Sequence, residues 1–272
     1  MKNPDLSNLG QAIDLARRGA TFYVSHSGGK DSQAAYHAVL DLLISLEEAD
    51  DRPYQHLITV VHADLGRVEW HGTQQHIFDT TYHPLNVVHA IWKDGSRKEL
   101  LDMVERRAAQ RPDSPAWPSS AQRYCTSDLK RGPIEKFIRN DLKDRGEHLA
   151  VNVMGLRAQE SDSRAKKDTW KDNARLSKAG REVYDWLPIH AWTTEEVFDC
   201  IARHGQEPHP AYAQNERLSC VFCIFGSDND LQHGAQQRPE LAAEYIALEE
   251  RIGRTMFHKG ALADRIDLVN LA

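Results

Sequence analysis

Cysteine is scarce, and long hydrophobic runs, internal repeats and low-complexity segments are missing; each shortage removes a class of protein. Four cysteines in 272 residues cannot build the dense disulfide framework of a small secreted domain. No apolar stretch approaches the roughly 18 residues that suggest a membrane span. The leading residues Met1-Lys2-Asn3-Pro4-Asp5 lack the basic-then-apolar pattern of a secretory signal. The expectation is a cytoplasmic protein with no membrane partner. A formal net charge of −6 excludes a surface that is basic all over. What remains, 40% hydrophobic and 27% charged residues, is ordinary globular composition in a chain long enough to bury a full core.

Apolar runs alternate with helical patterns, which predicts an α/β protein: a mainly parallel twisted sheet flanked by helices. The strand candidates are 21–25, 56–63, 86–92, 149–155 and 182–187. The helix candidates are 31–47, 97–110, 133–145, 194–204 and 239–252, the fourth capped by Thr193 or Thr194 with Glu195 and Glu196 in its first turn. Ala34, Ala35, Ala38, Leu42 and Ile44 are expected to face the sheet. Residues 1–190 read as a nucleotide-binding domain, and 191–272 as a C-terminal helical lobe holding a C-x-x-C pair.

The strongest local signal is a strand, then Ser25-His26-Ser27-Gly28-Gly29-Lys30-Asp31-Ser32, then a helix. Two adjacent glycines let the backbone turn sharply and approach an anion closely. The helix N-terminus adds free N–H groups and a positive dipole end. Ser27 and Ser32 add hydroxyls and Lys30 a full charge. The expected result is a pyrophosphate cradle in which the amides around the glycines face the ligand. It is not a Walker A loop, which needs four residues between its first glycine and Gly-Lys-Ser/Thr.

Charge is uneven downstream. Residues 157–181 contain eight Lys or Arg (Arg157, Arg164, Lys166, Lys167, Lys171, Arg175, Lys178, Arg181) against four acids, a local excess of four positive charges. This segment reads either as a solvated loop or as a flexible basic flap near a phosphate-bearing substrate. Cys220-Val221-Phe222-Cys223 has the spacing of a metal, cluster or redox pair. Cys200, with Val197 and Ile201, sits on an apolar helix face and reads as a buried core thiol.

Ser27-Gly28-Gly29-Lys30-Asp31-Ser32 matches the S-G-G-x-D-S loop of PP-loop ATP pyrophosphatases. More narrowly, the chain resembles the phosphoadenosine phosphosulfate (PAPS) reductase family. The matching segments follow in order: His62-Ala63-Asp64-Leu65-Gly66 with Glu69; Cys125-Thr126-Ser127-Asp128-Leu129-Lys130 with Pro133; Gly155-Leu156-Arg157-Ala158-Gln159-Glu160-Ser161 with Arg164; then Leu187-Pro188-Ile189, Trp192 and His209-Pro210-Ala211-Tyr212. The resemblance spans about residues 20–225.

The resemblance implies a nucleotide held at the C-terminal ends of the strands by Ser25, Ser27, Gly28, Gly29, Lys30, Asp31, Ser32, Asp64, Gly155, Arg157, Glu160 and Arg164. Lys30, Asp31 and Arg157 are the candidate catalytic residues. ATP with Mg²⁺ is the implied cofactor pair; Asp31 is a candidate Mg²⁺ contact or a helix-start residue. A substrate oxygen would attack the α-phosphate with release of pyrophosphate, and a sulfur nucleophile would then displace AMP. Asp64 reads as an acceptor for adenosine hydroxyls or as a turn residue before Gly66. Glu160 is expected to hold one of the two arginines, Arg157 or Arg164, in place.

By the same resemblance, Cys125, Cys220 and Cys223 are candidate ligands of a 4Fe–4S cluster. Thiolate chemistry alone leaves zinc open, with a histidine such as His209 as fourth ligand. Tyr124-Cys125 departs from the Cys-Cys of cluster-bearing sulfonucleotide reductases, and no cysteine follows Cys223 in this chain to act as their nucleophile. The reading nearest in kind is therefore that of the DNA phosphorothioation members. These imply an ATP-dependent sulfur-transfer enzyme with an adenine nucleotide, a sulfur donor such as a cysteine desulfurase, and nucleic acid as partners. Sulfonucleotide reduction with an external thiol, adenylyl transfer as in FAD synthetases, and a non-catalytic nucleotide-sensing subunit are the alternatives.

Overall fold

The computed structural model describes residues 8–258 and 260–267; the pentapeptide read for a targeting signal lies outside them. In chain order the elements are α1 (Leu9–Arg17), β1 (Thr21–Ser25), α2 (Lys30–Asp50), β2 (Ile58–Ala63), α3 (Thr73–Thr80), β3 (Leu85–Val88), α4 (Leu100–Gln110), α5 (Tyr124–Thr126), α6 (Gly132–Arg145), β4 (Leu149–Met154), α7 (Asp162–Ala165), β5 (Trp170–Asp172), β6 (Glu182–Trp186), α8 (Thr194–Arg203), α9 (Asp228–Gln237) and α10 (Pro239–Ile252). Among the described residues no helix is long and apolar enough to cross a membrane.

The chain divides into two compact units. The first comprises the chain to His62, Thr73–Val88 and Ile134–His209. It contains one six-stranded sheet in the order β3-β2-β1-β4-β6-β5. β1 runs parallel to β2 and to β4, with Val24 opposite Val60 on one side and Val153 on the other. β6 continues the parallel run beside β4, and the three-residue β5 closes the edge antiparallel. Central strands with both faces covered should be apolar throughout, and β1 and β2 are buried along nearly their whole length.

α2 is buried on more than one side. Tyr36, Val39, Leu40 and Leu43 join the core of Phe22, Val24 and Val151. The alanines expected to face the sheet, Ala34, Ala35 and Ala38, instead pack with Ile189, Trp192, Val197, Cys200 and Ile201. A helix buried on most sides, polar Gln33 and His37 included, has no single apolar stripe to read, which is why the sequence pattern misassigns the alanine face. Small side chains let α8 approach α2 closely. Cys200 is fully buried there, as expected of a core thiol, and burial pushes its pKa up to about 11. α8 starts at a reciprocal cap: Thr193 Oγ1 accepts from Glu196 N–H at 3.2 Å, and Glu196 Oε2 accepts from Thr193 N–H at 2.7 Å.

The second unit comprises Ala63–Gly72, His89–Pro133 and Pro210–Ala272. Its core gathers Leu100, Leu101 and Val104 of α4 with Phe222, Leu231, Leu241, Tyr245 and Leu248. The two contiguous stretches expected from the sequence, divided at 190, are therefore not the units observed. The apolar face of α4 finds its partners on α10, more than a hundred residues away, and no linear reading exposes such a pairing. The predicted third strand likewise ends at Val88; beyond it Ile91 pairs with Arg97 in an isolated antiparallel bridge within the second unit.

Candidate active site

In the first unit the sheet changes winding direction at β1, with β2 on one side and β4 on the other. In such sheets ligands bind beyond the carboxyl ends of the strands at the switch point. The loop Ser25–Gly29 leaves β1 at that end and α2 begins at Lys30. Gly155 and Arg157 follow β4 at the same edge.

The loop is braced from within. Gly28 lies in the left-handed region at φ +78°, the conformation glycine tolerates. Ser32 Oγ donates to Gly29 O at 2.8 Å and accepts from Ser27 N–H at 3.1 Å. With its one proton so used, it accepts from Ser27 Oγ at 3.2 Å. Gly28 N–H donates to His26 Nδ1 at 3.1 Å. This corrects the expectation of a cradle in which the amides around the glycines face the ligand: the Ser27 and Gly28 amides point back into the loop. At the start of α2 the Ser32 and Gln33 amides both donate to Gly29 O, at 3.0 and 3.1 Å, while the positive end of the helix dipole and Lys30 face the same edge.

Arg157 is the best-anchored charge of the site. It is 3% exposed, with Nε donating to Asp31 Oδ1 at 2.6 Å. Its Nη1 reaches Gln159 Oε1 at 2.8 Å and Trp192 O at 3.2 Å, and its Nη2 reaches Thr194 Oγ1 at 3.2 Å. Lys30 Nζ donates to the other oxygen of Asp31 at 2.9 Å. Asp31 thus holds two cations at the head of α2. Glu160 holds both candidate arginines, one oxygen accepting from the Arg157 backbone N–H at 2.9 Å and the other pairing with Arg164.

Gly155 explains how this assembly closes. A Cβ built there would lie 2.3 Å from Asp31 O and 2.8 Å from Ser32 N, so β4 meets the first turn of α2 only through a bare backbone. Gly155→Ala is expected to destabilise the protein by at least about 2 kcal/mol, since the clash is with backbone rather than a flexible side chain. Urea denaturation measures this, and an unchanged midpoint would show that the contact yields freely.

The basic segment is not a free flap. It carries the short α7 and the edge strand β5, and Arg164 and Arg175 join Arg157 in pairing with carboxylates, Arg175 through Nη2 to Glu135 at 2.8 Å. Lys166, Lys167 and Lys178 remain exposed.

The sequence reading named His209 only as a possible zinc ligand and gave His26 and His37 no role, yet all three are buried in this unit. His26, His37 and His209 are at most 4% exposed. His37 stacks on His204 at 3.9 Å, and its Nε2 bonds Gln206 Oε1 at 2.7 Å. Burial holds both His37 and His209 down at about 4, and holds His26 well below its ordinary range. Their folded values lie below the unfolded value near 6.5, so the stability tied to them is intact above pH 6.5 and is lost as pH falls toward 4. His37 and His209 each contribute about 3 kcal/mol to that loss. Unfolding free energies between pH 7.5 and 4.5 should fall steeply; a flat profile would mean these rings protonate freely in the folded state.

In the second unit Asp64 behaves as the turn residue: Oδ1 accepts from Gly66 N–H at 2.8 Å and pairs with Arg97 Nη2 at 2.6 Å. Gly66, at φ +73°, would place a Cβ 2.3 Å from Glu99 Oε1. Cys125, Cys220 and Cys223 are partly exposed and near enough to influence one another. Part of Cys220 reaches the surface, yet desolvation of the thiol itself pushes its pKa up to about 12, with Lys130 opposing and the other two cysteines reinforcing the rise. Among the described residues no three His, Cys, Asp or Glu side chains stand as a metal-binding group. Both oxygens of Asp31 are taken by cations, Lys30 and Arg157.

Comparisons with known proteins place this geometry. The fold is similar, at 14% identity and a TM-score of 0.43, to a crystal structure of PAPS reductase from Candida auris, over 81% of this chain and 96% of that one. It is similar, at 13% identity and a TM-score of 0.46, to the FMN adenylyltransferase of Candida glabrata, over 81% of this chain and 66% of that one. An uncharacterised 37.8 kDa protein of Escherichia phage 186 is 33% identical over 146 residues, 53% of this chain and 42% of its own length. An uncharacterised protein of Methanocaldococcus jannaschii is 23% identical over 201 residues, 74% of this chain and 35% of its own length. The chain thus spans less than half the length of either curated relative. Residues 21–225 match the phosphoadenosine phosphosulfate reductase domain model, and the chain belongs to that family.

Proposed function

We propose that this protein is an adenine-nucleotide-binding enzyme that releases pyrophosphate from ATP and uses the adenylated product for sulfur transfer. The observation that carries the reading is the convergence of Lys30, Asp31 and Arg157 with the start of α2 at the switch point of the parallel sheet. Family membership supports a nucleotide substrate and sulfur chemistry.

In this reading Lys30 and the N-terminal end of α2 bind the phosphates and stabilise charge that develops on the departing pyrophosphate. Ser27 and Ser32 keep the loop shape. Arg157, buried and tied to four partners, orients Asp31 and so holds Lys30 in register; it is a positioning residue rather than a direct contact. Gly155 admits β4 to the loop. Glu160 and Arg164 support Arg157 from the far side. A divalent cation, when bound, would screen the charge of the phosphates.

The acceptor we favour is nucleic acid or a nucleotide, supported by the exposed Lys166, Lys167 and Lys178; phosphate contacts of this kind weaken with salt. The test is release of pyrophosphate and AMP from ATP, with and without single-stranded or duplex nucleic acid and a persulfide-loaded cysteine desulfurase as donor. Pyrophosphate formation that rises with the acceptor supports the reading. Reduction of a sulfonucleotide by an added thiol, without ATP turnover, overturns it. Iron and sulfide assays on protein purified anaerobically test Cys125, Cys220 and Cys223 as cluster ligands: stoichiometric iron and sulfide would support that role, and iron-free protein would remove it.

A further inference from the structure

One buried side chain of the loop remains without an assigned role. His26 is 2% exposed and pinned through its own backbone: its N–H donates to Val61 O at 2.9 Å, and its carbonyl accepts from His62 Nδ1 at 2.9 Å. The ring therefore has a fixed origin, set by the neighbouring strand β2. Its Nδ1 receives the Gly28 amide at 3.1 Å, while its Nε2 is buried without a hydrogen-bond partner among the described residues.

The protonation state follows from valence. A backbone amide only donates, so Nδ1 must present its lone pair and the single ring proton must sit on Nε2. An imidazolium, carrying protons on both nitrogens, cannot accept this bond. The groups acting on the ring are three further histidines, His62 at the end of β2, His76 on α3 and His37 on α2; with burial they hold His26 neutral. Gly28, free of a Cβ and at positive φ, can fold its N–H back onto a ring two residues earlier.

We propose that His26 is the positioning residue of the phosphate loop: its Nδ1 takes the Gly28 amide out of the anion-facing set and thereby fixes which backbone donors meet the phosphates. The proposal rests on the nucleotide-binding reading above but makes a separate claim, about the direction of one amide. Without an acceptor at that position the Gly28 N–H would be left buried and unsatisfied, and the loop would have to rearrange to recover a partner.

The decisive variants differ only in where the acceptor sits. The amide oxygen of Asn replaces Nδ1 nearly in place, whereas that of Gln falls near Nε2. H26N is expected to bind ATP about tenfold more tightly than H26Q, the effect of one buried amide bond. H26Q should also melt below H26N, since its Gly28 N–H is left buried without an acceptor, so both affinities are measured at a temperature where each variant is folded. Equal ATP affinities for H26N and H26Q, or tighter binding by H26Q, overturn the proposal.

A second measurement does not depend on nucleotide. In protein labelled with ¹⁵N at glycine and histidine, a coupling across the hydrogen bond should link the Gly28 amide nitrogen to His26 Nδ1, with the ring in the Nε2-protonated tautomer. A ring protonated at Nδ1 overturns the proposal by itself. Failure of the wild-type protein to bind ATP, with the coupling present, would instead count against the nucleotide reading.

Discussion

Replacing Arg157 with alanine is expected to destabilise the folded protein by about 3–5 kcal/mol, because it strips one partner from a buried ion pair and leaves the other behind. The guanidinium is 3% exposed and donates to Asp31, Gln159, Trp192 O and Thr194 at once. Asp31, with 17% side-chain exposure, has little water to turn to. Arg157→Lys keeps the charge but not the planar fork, and should recover less than half of the loss. Asp31→Asn in the Arg157→Ala background separates the causes: if the Asp31 carboxylate, then paired with Lys30 alone, dominates the loss, the double variant is more stable than the sum of the single losses predicts. Urea denaturation gives all four free energies. A cost below about 1 kcal/mol for Arg157→Ala would show that the arginine is incidental to the site.

Lys30→Met should behave in the opposite way. Methionine nearly conserves the length of the side chain, and Asp31 keeps its 2.6 Å bond to Arg157. The stability loss is therefore expected to be smaller than for Arg157→Ala. Turnover is another matter. A charged donor aimed at developing negative charge in a partly dry site typically contributes a factor of about 100–1,000 to the rate. Pyrophosphate release should fall by at least about 100-fold. Release within tenfold of the wild-type rate, in a variant shown to be folded, would remove Lys30 from the chemistry. The two substitutions together distinguish the residue that acts on the ligand from the one that holds it.

Much of the fold is legible in the sequence for a specific reason. β1, β2 and β4 are central parallel strands, buried on both faces, so Thr21–Ser25, Ile58–Ala63 and Leu149–Met154 read as mainly apolar runs broken by single polar residues such as Thr59 and Asn152. β5 is three residues long at an edge, carries Lys171 and Asp172, and has no such signature. Within the site, Ser27, Gly28, Gly29, Lys30 and Asp31 are contiguous and declare themselves. Arg157 can be singled out by its motif, but its burial beside Asp31 cannot, because the two stand 126 positions apart. His26 is harder still: it stands inside the motif, between two serines, and only its contacts distinguish it from a filler residue.

Sequence by itself determined the class of the fold, the place of the loop between a strand and a helix, and the chemical types available there, because strand burial, helix capping and glycine turns act over a few residues. Tertiary structure alone decided which amides the loop turns inward, why Gly155 must lack a side chain, which carboxylates claim the arginines of the basic segment, and which distant helices share a core. Those outcomes depend on atoms brought within bonding distance by the sheet crossovers and by α4 meeting α10. Side-chain reach is only a few ångströms, so the partner of a charge or a buried ring is set by the path of the whole chain.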